Sequence, residues 1–232
     1  MALIRYAEGQ QRSGSIGGTT YSHNRFGQYI RARSTPVNPN STLQQLVRNL
    51  MRNLTIAWQT VLTASQRQAW KVYADNVTWK NKFGDDVHLT SLNHYIRTNV
   101  AAGLAGVTRV DNAPTIYNLG DAEQSLVVTA SEAAQTLDIA YDDTADWCDE
   151  DGGAQLFYLG LPQNTGRAFF GGPYKALTTV LGDSVAPPAS PDAGVATVFP
   201  FAQNNRLWVR SRILRADGRL SEYAETNFLA GA

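Results

Sequence analysis

Between residues 40 and 76 the apolar side chains return at three- and four-residue steps: Leu43, Leu46, Val47, Leu50, Met51, Leu54, Ala57, Trp58, Val61 and Leu62. That spacing places them on one stripe of an α-helix, and such a stripe needs an apolar partner. The start is signed by Pro39 and by Ser41 with Gln44, the spacing of a capping box. Thr63 and Gln66 repeat the device, so a second helix is expected there, with Trp70, Tyr73 and Val77 facing inward. The pair should form an αα-hairpin or a kinked helix. Segments 77–80 and 87–89 flank a polar turn around Gly84 and read as a short hairpin. Thr90 then opens a third helix with Leu92, Tyr95, Ile96 and Val100 at helical spacing and Gly103 as its terminator. The expected helical core is Leu43, Leu46, Val47, Leu50, Leu54, Trp58, Leu62, Trp70, Tyr73, Leu92, Tyr95 and Ile96.

Residues 1–39 are poor helix material, with Gly14, Gly17, Gly18 and Gly27 and then Pro36 and Pro39. The run Gly14-Ser15-Ile16-Gly17-Gly18 lacks the Lys-Ser/Thr of a phosphate loop and reads as a flexible joint. Segments 20–22 and 28–33 flank a turn at His23-Asn24-Arg25-Phe26-Gly27, which predicts a β-hairpin or extended arm. Tyr29, Arg31 and Arg33 share one face of the second strand, and Ile30 and Ala32 the other. An arm too small to bury a core gains its order on a neighbour. Tyr21, Arg25, Phe26, Tyr29, Arg31 and Arg33 are therefore the candidate contact set, either for another subunit or for a polyanion.

Residues 104–122 lose helical periodicity, carry Pro114 and glycines, and read as a linker. From Ser125 onward the period changes to two, in SLVVTA, TLDIAY, AQLFYLG, YKALTTV, GVATVFPF, RLWVRSRIL and a last run around LSEYAETNFLA, with Asp217-Gly218 the clearest hairpin turn. Seven such segments in about 110 residues suggest a β-sandwich of immunoglobulin or fibronectin type III kind; without a Cys…Trp…Cys spacing it is not an antibody-type domain. The expected fold class is α+β: a β-hairpin arm (1–39), a small helical domain of about three helices with a short hairpin (40–103), a linker (104–122) and an all-β immunoglobulin/fibronectin-III-like sandwich (123–232).

Composition narrows the function classes. Of 232 residues 43% are hydrophobic, enough for a real core, but only 17% are charged, against a usual quarter or so. Uncharged polar surfaces of that kind are often covered by partners. No apolar run approaches the ~18 residues that a membrane helix requires, and the N-terminus lacks a signal-peptide pattern, so synthesis in a cytoplasm is expected. Cys148 is the single cysteine, which excludes an intrachain disulfide and a cysteine-rich zinc site. Formal charge is zero, yet thirteen basic and four acidic residues lie at or before Val110, a balance of +9, and the remainder carries −9. Such asymmetry suggests a polyanion partner for the first half or a head-to-tail partner of opposite sign.

Catalytic constellations are lacking. His23, His88 and His94 show no paired His-Glu spacing, no Gly-x-Ser-x-Gly elbow is present, and each histidine is expected as a surface or capping residue. The run Asp142, Asp143, Asp146, Asp149, Glu150, Asp151 does not match a calcium loop and reads as a solvated loop or an acidic patch meeting a basic neighbour, with Trp147 and Cys148 packing down. Phe157-Tyr158 and Phe169-Phe170 could line a sugar site, but alternation in a strand favours one buried and one interfacial ring in each pair. No catalytic, cofactor or metal site and no small-molecule substrate is expected.

Two segments carry a resemblance: residues 17–48, with Arg31, Arg33, Pro36, Pro39 and Ser41, and the helices holding Leu62, Thr63, Gln66, Arg67 and Trp70, then Leu92, Tyr95, Ile96, Arg97 and Asn99. The first hundred residues or so thereby resemble a class of virion-associated structural proteins of tailed bacteriophages and prophages, on which immunoglobulin-like appendages are often displayed. The resemblance implies a non-enzymatic component of the head–tail junction, tail or capsid surface, made in the host bacterial cytoplasm and located in the virion. It implies a homo-oligomer assembling through its arm and helical domain, with copies of itself, other virion proteins and packaged DNA as partners. It implies no functional site. Two alternatives follow from the residues themselves: a nucleic-acid-binding protein using the arm, and a carbohydrate- or receptor-binding module using the sandwich.

Overall fold

The computed structural model describes residues 2–4, 12–34, 37–80 and 83–231. Pro36, and Asn81 and Lys82 of the polar turn, lie outside the described residues. Three helices form: α1 (Thr42–Thr60), α2 (Ala64–Asn76) and α3 (Ser91–Ala105). Ser41 with Gln44 and Thr63 with Gln66 each close a full capping box, and the Thr90 hydroxyl accepts from Asn93 N–H, which satisfies donors that the first helical turns leave orphaned.

Both α1 and α2 pack on α3, so the third helix, not the second, is the partner of the α1 stripe. The core contains Leu54, Leu62, Trp70, Tyr73, Val77 and Tyr95, flanked by Trp58, Leu92, Ile96 and Val100. Tyr95 lies 5.4 Å from the Trp58 ring and 5.7 Å from that of Trp70, the latter edge-on, the arrangement that ring quadrupoles favour. Leu50 of α1 lies against Gly103 of α3. A Cβ on Gly103 would come within 2.7 Å of Leu50 Cδ2, so this glycine permits the close approach of the two helices. The terminator is instead Gly106, at φ +77°, a left-handed conformation that glycine adopts without penalty. Because Trp58 meets Tyr95 and Leu50 meets Gly103, α1 runs antiparallel to α3 and its first turns project past the α3 terminus. Leu43 and Leu46, expected in the core, are for that reason 48% and 45% exposed, and Val47 and Leu50 are half-buried.

Residues 107–119, expected within a linker, form a strap across the helices. Trp70 Nε1 donates to Asp111 O (3.0 Å), Tyr73 Oη to Asn118 O (2.7 Å) and Gln66 Nε2 to Asn112 Oδ1 (3.0 Å). Buried Asn99 accepts from Val110 N–H (2.7 Å) and donates to Val110 O (2.9 Å), and Ala113 and Leu119 add apolar contact. Both backbone polar groups of Val110 are thereby satisfied by one side chain.

The N-terminal sheet has the order β1-β4-β3-β2, from β1 (Ala2–Ile4), β2 (Gly14–Ile16), β3 (Thr19–Asn24) and β4 (Gly27–Ala32). The glycine run read as a joint is thus strand β2 and the Gly17-Gly18 turn, with Ser15 Oγ 2.8 Å from Thr20 Oγ1. A minimal ladder of β5 (Trp79–Lys80) and β6 (Asp86–Val87) precedes α3.

Seven strands follow: β7 (Val127–Ser131), β8 (Thr136–Ala140), β9 (Ala154–Gly160), β10 (Tyr174–Leu181), β11 (Asp192–Ala196), β12 (Arg206–Leu214) and β13 (Ala224–Leu229). They make a three-stranded sheet, β11-β8-β7, and a four-stranded sheet, β10-β9-β12-β13, antiparallel throughout. Alternation puts Leu137 and Ile139 of one sheet against Phe157, Leu159, Leu207 and Val209 of the other, all fully buried. The opposite face of the four-stranded sheet receives α3: Ala101 and Ala102 pack on Ala154, Leu156, Leu214 and Leu220. Thr98 Oγ1 donates to Gly218 O (2.7 Å) and Arg97 Nη2 to Ser221 O (2.8 Å), so the Asp217-Gly218 turn is docked on the helix. The helical part and the sandwich share a core.

Candidate functional site

The N-terminal sheet is a single layer. Its described hydrogen bonds join its own residues, as in Arg33 N–H to Gly18 O (2.8 Å) and Phe26 N–H to Asn24 Oδ1 (2.9 Å). Not one of residues 12–34 is buried. Direct pairing of Tyr21 with Ile30 and of Gly14 with Tyr21 sets the register. Ile16, Tyr21 and Ile30 thus fall on one face, and Tyr29 and Arg31 on the other. Ile16 is 78% exposed. A sheet stabilises itself by burying one face against a second layer, and the described chain provides none here. Arg25, Arg31 and Arg33 are exposed, at the β3–β4 turn and along and beyond β4. The structure thus brings the predicted arm residues Tyr21, Arg25, Phe26, Tyr29, Arg31 and Arg33 into one hairpin.

The arm leads into the exposed start of α1. Arg48 ties the two together, donating to Asn38 Oδ1 (2.7 Å) and Asn40 Oδ1 (3.2 Å). Leu43, Leu46 and Met51 are exposed next to the exposed guanidiniums of Arg48 and Arg52. The apolar stripe of α1 is continuous with the core but uncovered at its first turns, and the sheet that precedes it in the chain is uncovered as well.

The residues that carry the resemblance in the helices have structural duties. Arg67 donates to Leu62 O (2.6 Å) and Trp58 O (3.1 Å), closing the α1–α2 corner. Gln66, Trp70 and Asn99 hold the strap, Tyr95 fills the core, and Arg97 reaches the sandwich.

Five of the six acidic side chains of the run have a hydrogen-bond or ion-pair partner within the chain. Arg215 forms a bidentate pair with Glu150 and reaches Asp146 (3.2 Å), and Ala216 N–H donates to Glu150 Oε2 (2.9 Å). Burial alone would raise the Glu150 pKa, but Arg215 and the Ala216 N–H outweigh it and hold the carboxyl below its usual range. Asp143 caps Ser190 N–H (3.0 Å), Asp151 caps Ser184 N–H (2.9 Å) and Asp142 holds Thr144. Trp147 and Cys148 pack into the sandwich core, where burial pushes the thiol up to about 12. The sequence signal missed was Glu123, which is buried although acidic. It accepts from Ser125 N–H (2.8 Å), Asp142 N–H (3.3 Å) and Gln155 Nε2 (3.2 Å), and Gln155 also donates to Ser211 Oγ (3.2 Å).

His23 lies apart from the other two histidines, and His88 is near enough to His94 to act on it. His23 is exposed on β3, and His88 Nδ1 lies 3.3 Å from Ala74 O. His94, expected at the surface, is 1% exposed beneath Tyr73, at 5.1 Å between rings. Burial, then the Arg97 guanidinium and His88, lower its pKa to about 4. A cleft of about 690 Å³ lies between the strap and the loops at Asp151 and Asp217. Its Arg109 is paired with Asp111 (2.6 Å) and its Asp217 with Arg219 (2.7 Å).

On the outer face of the four-stranded sheet, Arg210 lies over Tyr174 (4.0 Å) and Tyr223 (4.1 Å), Arg212 over Tyr223 (4.3 Å), and Arg97 over Trp79 (4.7 Å). These rings form a ladder with guanidiniums rather than an open stacking platform. Phe157 is buried in the sandwich, whereas Tyr158 faces Arg210; Phe170 is buried over Gly160, whereas Phe169 is 75% exposed. No described helix is long and apolar enough to cross a membrane. Compared with known proteins, the chain matches no family model, and no curated protein is detectably similar to it.

Proposed function

We propose that this protein is a non-enzymatic structural component of a tailed-phage virion, at the head–tail junction, tail or capsid surface, that assembles as a homo-oligomer through its arm and α1. One observation carries the reading: a sheet none of whose residues 12–34 is buried, leading into a helix whose apolar stripe runs on into solvent. Such surfaces are completed by a partner. The motif resemblance of the first hundred residues supports the virion setting. The sandwich is read as a fibronectin type III module, supported by a three-stranded β7-β8-β11 sheet facing a four-stranded β10-β9-β12-β13 sheet.

The test is light scattering of the full chain and of a chain lacking residues 1–39 across a concentration series, with electron microscopy of the products. The full chain is expected to form discrete oligomers. The truncated chain is expected to keep its helical and sandwich circular-dichroism signal and to remain monomeric. A full chain that stays monomeric at all concentrations, and that mass spectrometry does not find in purified particles, overturns the proposal. Salt-sensitive DNA retention by a strictly monomeric chain would do the same and would favour the nucleic-acid reading.

A further inference from the structure

The charge asymmetry is sharper than a difference between halves. From Gly9 to Ala74 the chain has eight basic residues and no acidic one, and from Val110 to Gly166 it has eleven acidic residues and no basic one. The first stretch holds the unpartnered arm and the exposed start of α1, where Arg25, Arg31, Arg33, Arg48 and Arg52 are all exposed. No described ion pair joins any of these five to a carboxylate. The second stretch supplies one end of the sandwich. There the loop holding Asp142, Asp143, Asp149 and Asp151 meets the loop after β10 through Asp183 N–H to Cys148 O (2.9 Å) and Asp151 to Ser184 N–H (2.9 Å). These four aspartates and Asp183 are exposed, and Val185 beside them is 90% exposed. Asp183 accepts the backbone N–H groups of Ala186 and Val185, and Asp142 the hydroxyl and N–H of Thr144, which keeps both carboxyls below their usual range. Arg215, at this end, is already engaged by Glu150 and Asp146.

From this complementarity we infer that the occupant of the arm and α1 face is a second copy of this chain, which presents the acidic end of its sandwich formed by loops 142–151 and 183–191. This rests on the assembly reading above and names its contact. Within one copy the basic guanidiniums and the acidic end are not joined by any described ion pair, so their attraction is left for association. The contact joins unlike surfaces, so each copy offers a second contact of the same kind and association continues until the arrangement closes. Leu43 and Leu46 on one side and Val185 on the other add exposed apolar area to the contact, as at specific interfaces. Arm-to-arm pairing of two copies would set Arg25, Arg31 and Arg33 against their own kind at the cost of like-charge repulsion.

Charge reversal in the full chain tests this. Variant one carries Arg25→Glu, Arg31→Glu and Arg33→Glu; variant two carries Asp142→Lys, Asp143→Lys and Asp149→Lys. Each alone sets like charge against like and is expected to be monomeric. Mixing them pairs the reversed arm with the reversed loop and the native arm with the native loop, and is expected to restore the oligomer. Raising salt from about 0.05 to about 0.5 M should weaken the native assembly at least about tenfold, since the Debye length falls several-fold. Circular dichroism of both variants controls for folding. The inference is overturned if variant two assembles normally, or if both variants are monomeric and their mixture remains so. Either result with an oligomeric wild type leaves the assembly reading intact, whereas a monomeric wild type removes that reading itself.

Discussion

His94 should make this fold acid-sensitive in a defined window. Its ring is 1% exposed, packed edge-on against Tyr73, with Nε2 buried and without a partner. Burial first, and then Arg97 and His88, hold its pKa at about 4 against an ordinary 6.5. Between those values the unfolded chain binds a proton that the folded chain does not, so stability rises with pH. The contribution is complete above about pH 6.5 and is lost as pH falls toward 4. Linkage gives a loss of about 2 kcal/mol between pH 7 and pH 5, and about 3 kcal/mol by pH 4. The comparison is urea unfolding of wild type and His94→Gln at these pH values. Glutamine changes the packing at every pH but does not titrate, so only the slope matters. The wild type should lose about 2 kcal/mol more than the variant on going from pH 7 to pH 5. Parallel losses would refute the claim that His94 is held neutral by burial.

Trp70→Ala should cost about 3–5 kcal/mol in urea unfolding, because it opens the centre of the helical core and leaves Asp111 O without its donor. Leu46→Ser, in the same predicted stripe but exposed, should change stability by less than about 0.5 kcal/mol while weakening self-association in light scattering. Gly182→Ala should destabilise by about 3 kcal/mol or prevent folding, because its Cβ would come within 2.1 Å of Trp147 O, a backbone atom that cannot move aside; soluble yield and thermal unfolding report this. Glu150→Gln should remove part of the acid sensitivity that lies below the ordinary carboxylate range. The lowered folded pKa means the Arg215 pair stabilises above that range and is lost as pH falls through it, which shows as a flatter stability profile from about pH 5 downward.

Local rules carried much of the architecture. Ser41/Gln44, Thr63/Gln66 and Thr90 cap the three helices where their spacing said they would, because a capping hydroxyl acts on backbone groups only two or three residues away. The seven alternating segments became seven strands, and Asp217-Gly218 became a turn, for the same reason of short range. The arm residues were legible as a hairpin because turn chemistry and alternation are local.

Partner choice was not local. The same periodicity describes Leu46 and Leu54, and only the antiparallel packing of α1 on α3, with Leu50 against Gly103, leaves one exposed and buries the other. The strap, with Pro114 and no periodicity, looked like a linker because its order comes from Trp70, Tyr73 and Asn99, distant in sequence. His94 is buried because the element covering it, at Tyr73, comes from another helix. Glu150 finds its cation 65 residues away in Arg215. By itself, then, the sequence determined the elements, their caps and the separation of charge along the chain. The tertiary structure decided which apolar and charged surfaces neutralise one another within a copy, and left the arm and the start of α1 uncovered, because burial and ion pairing depend on neighbours in space.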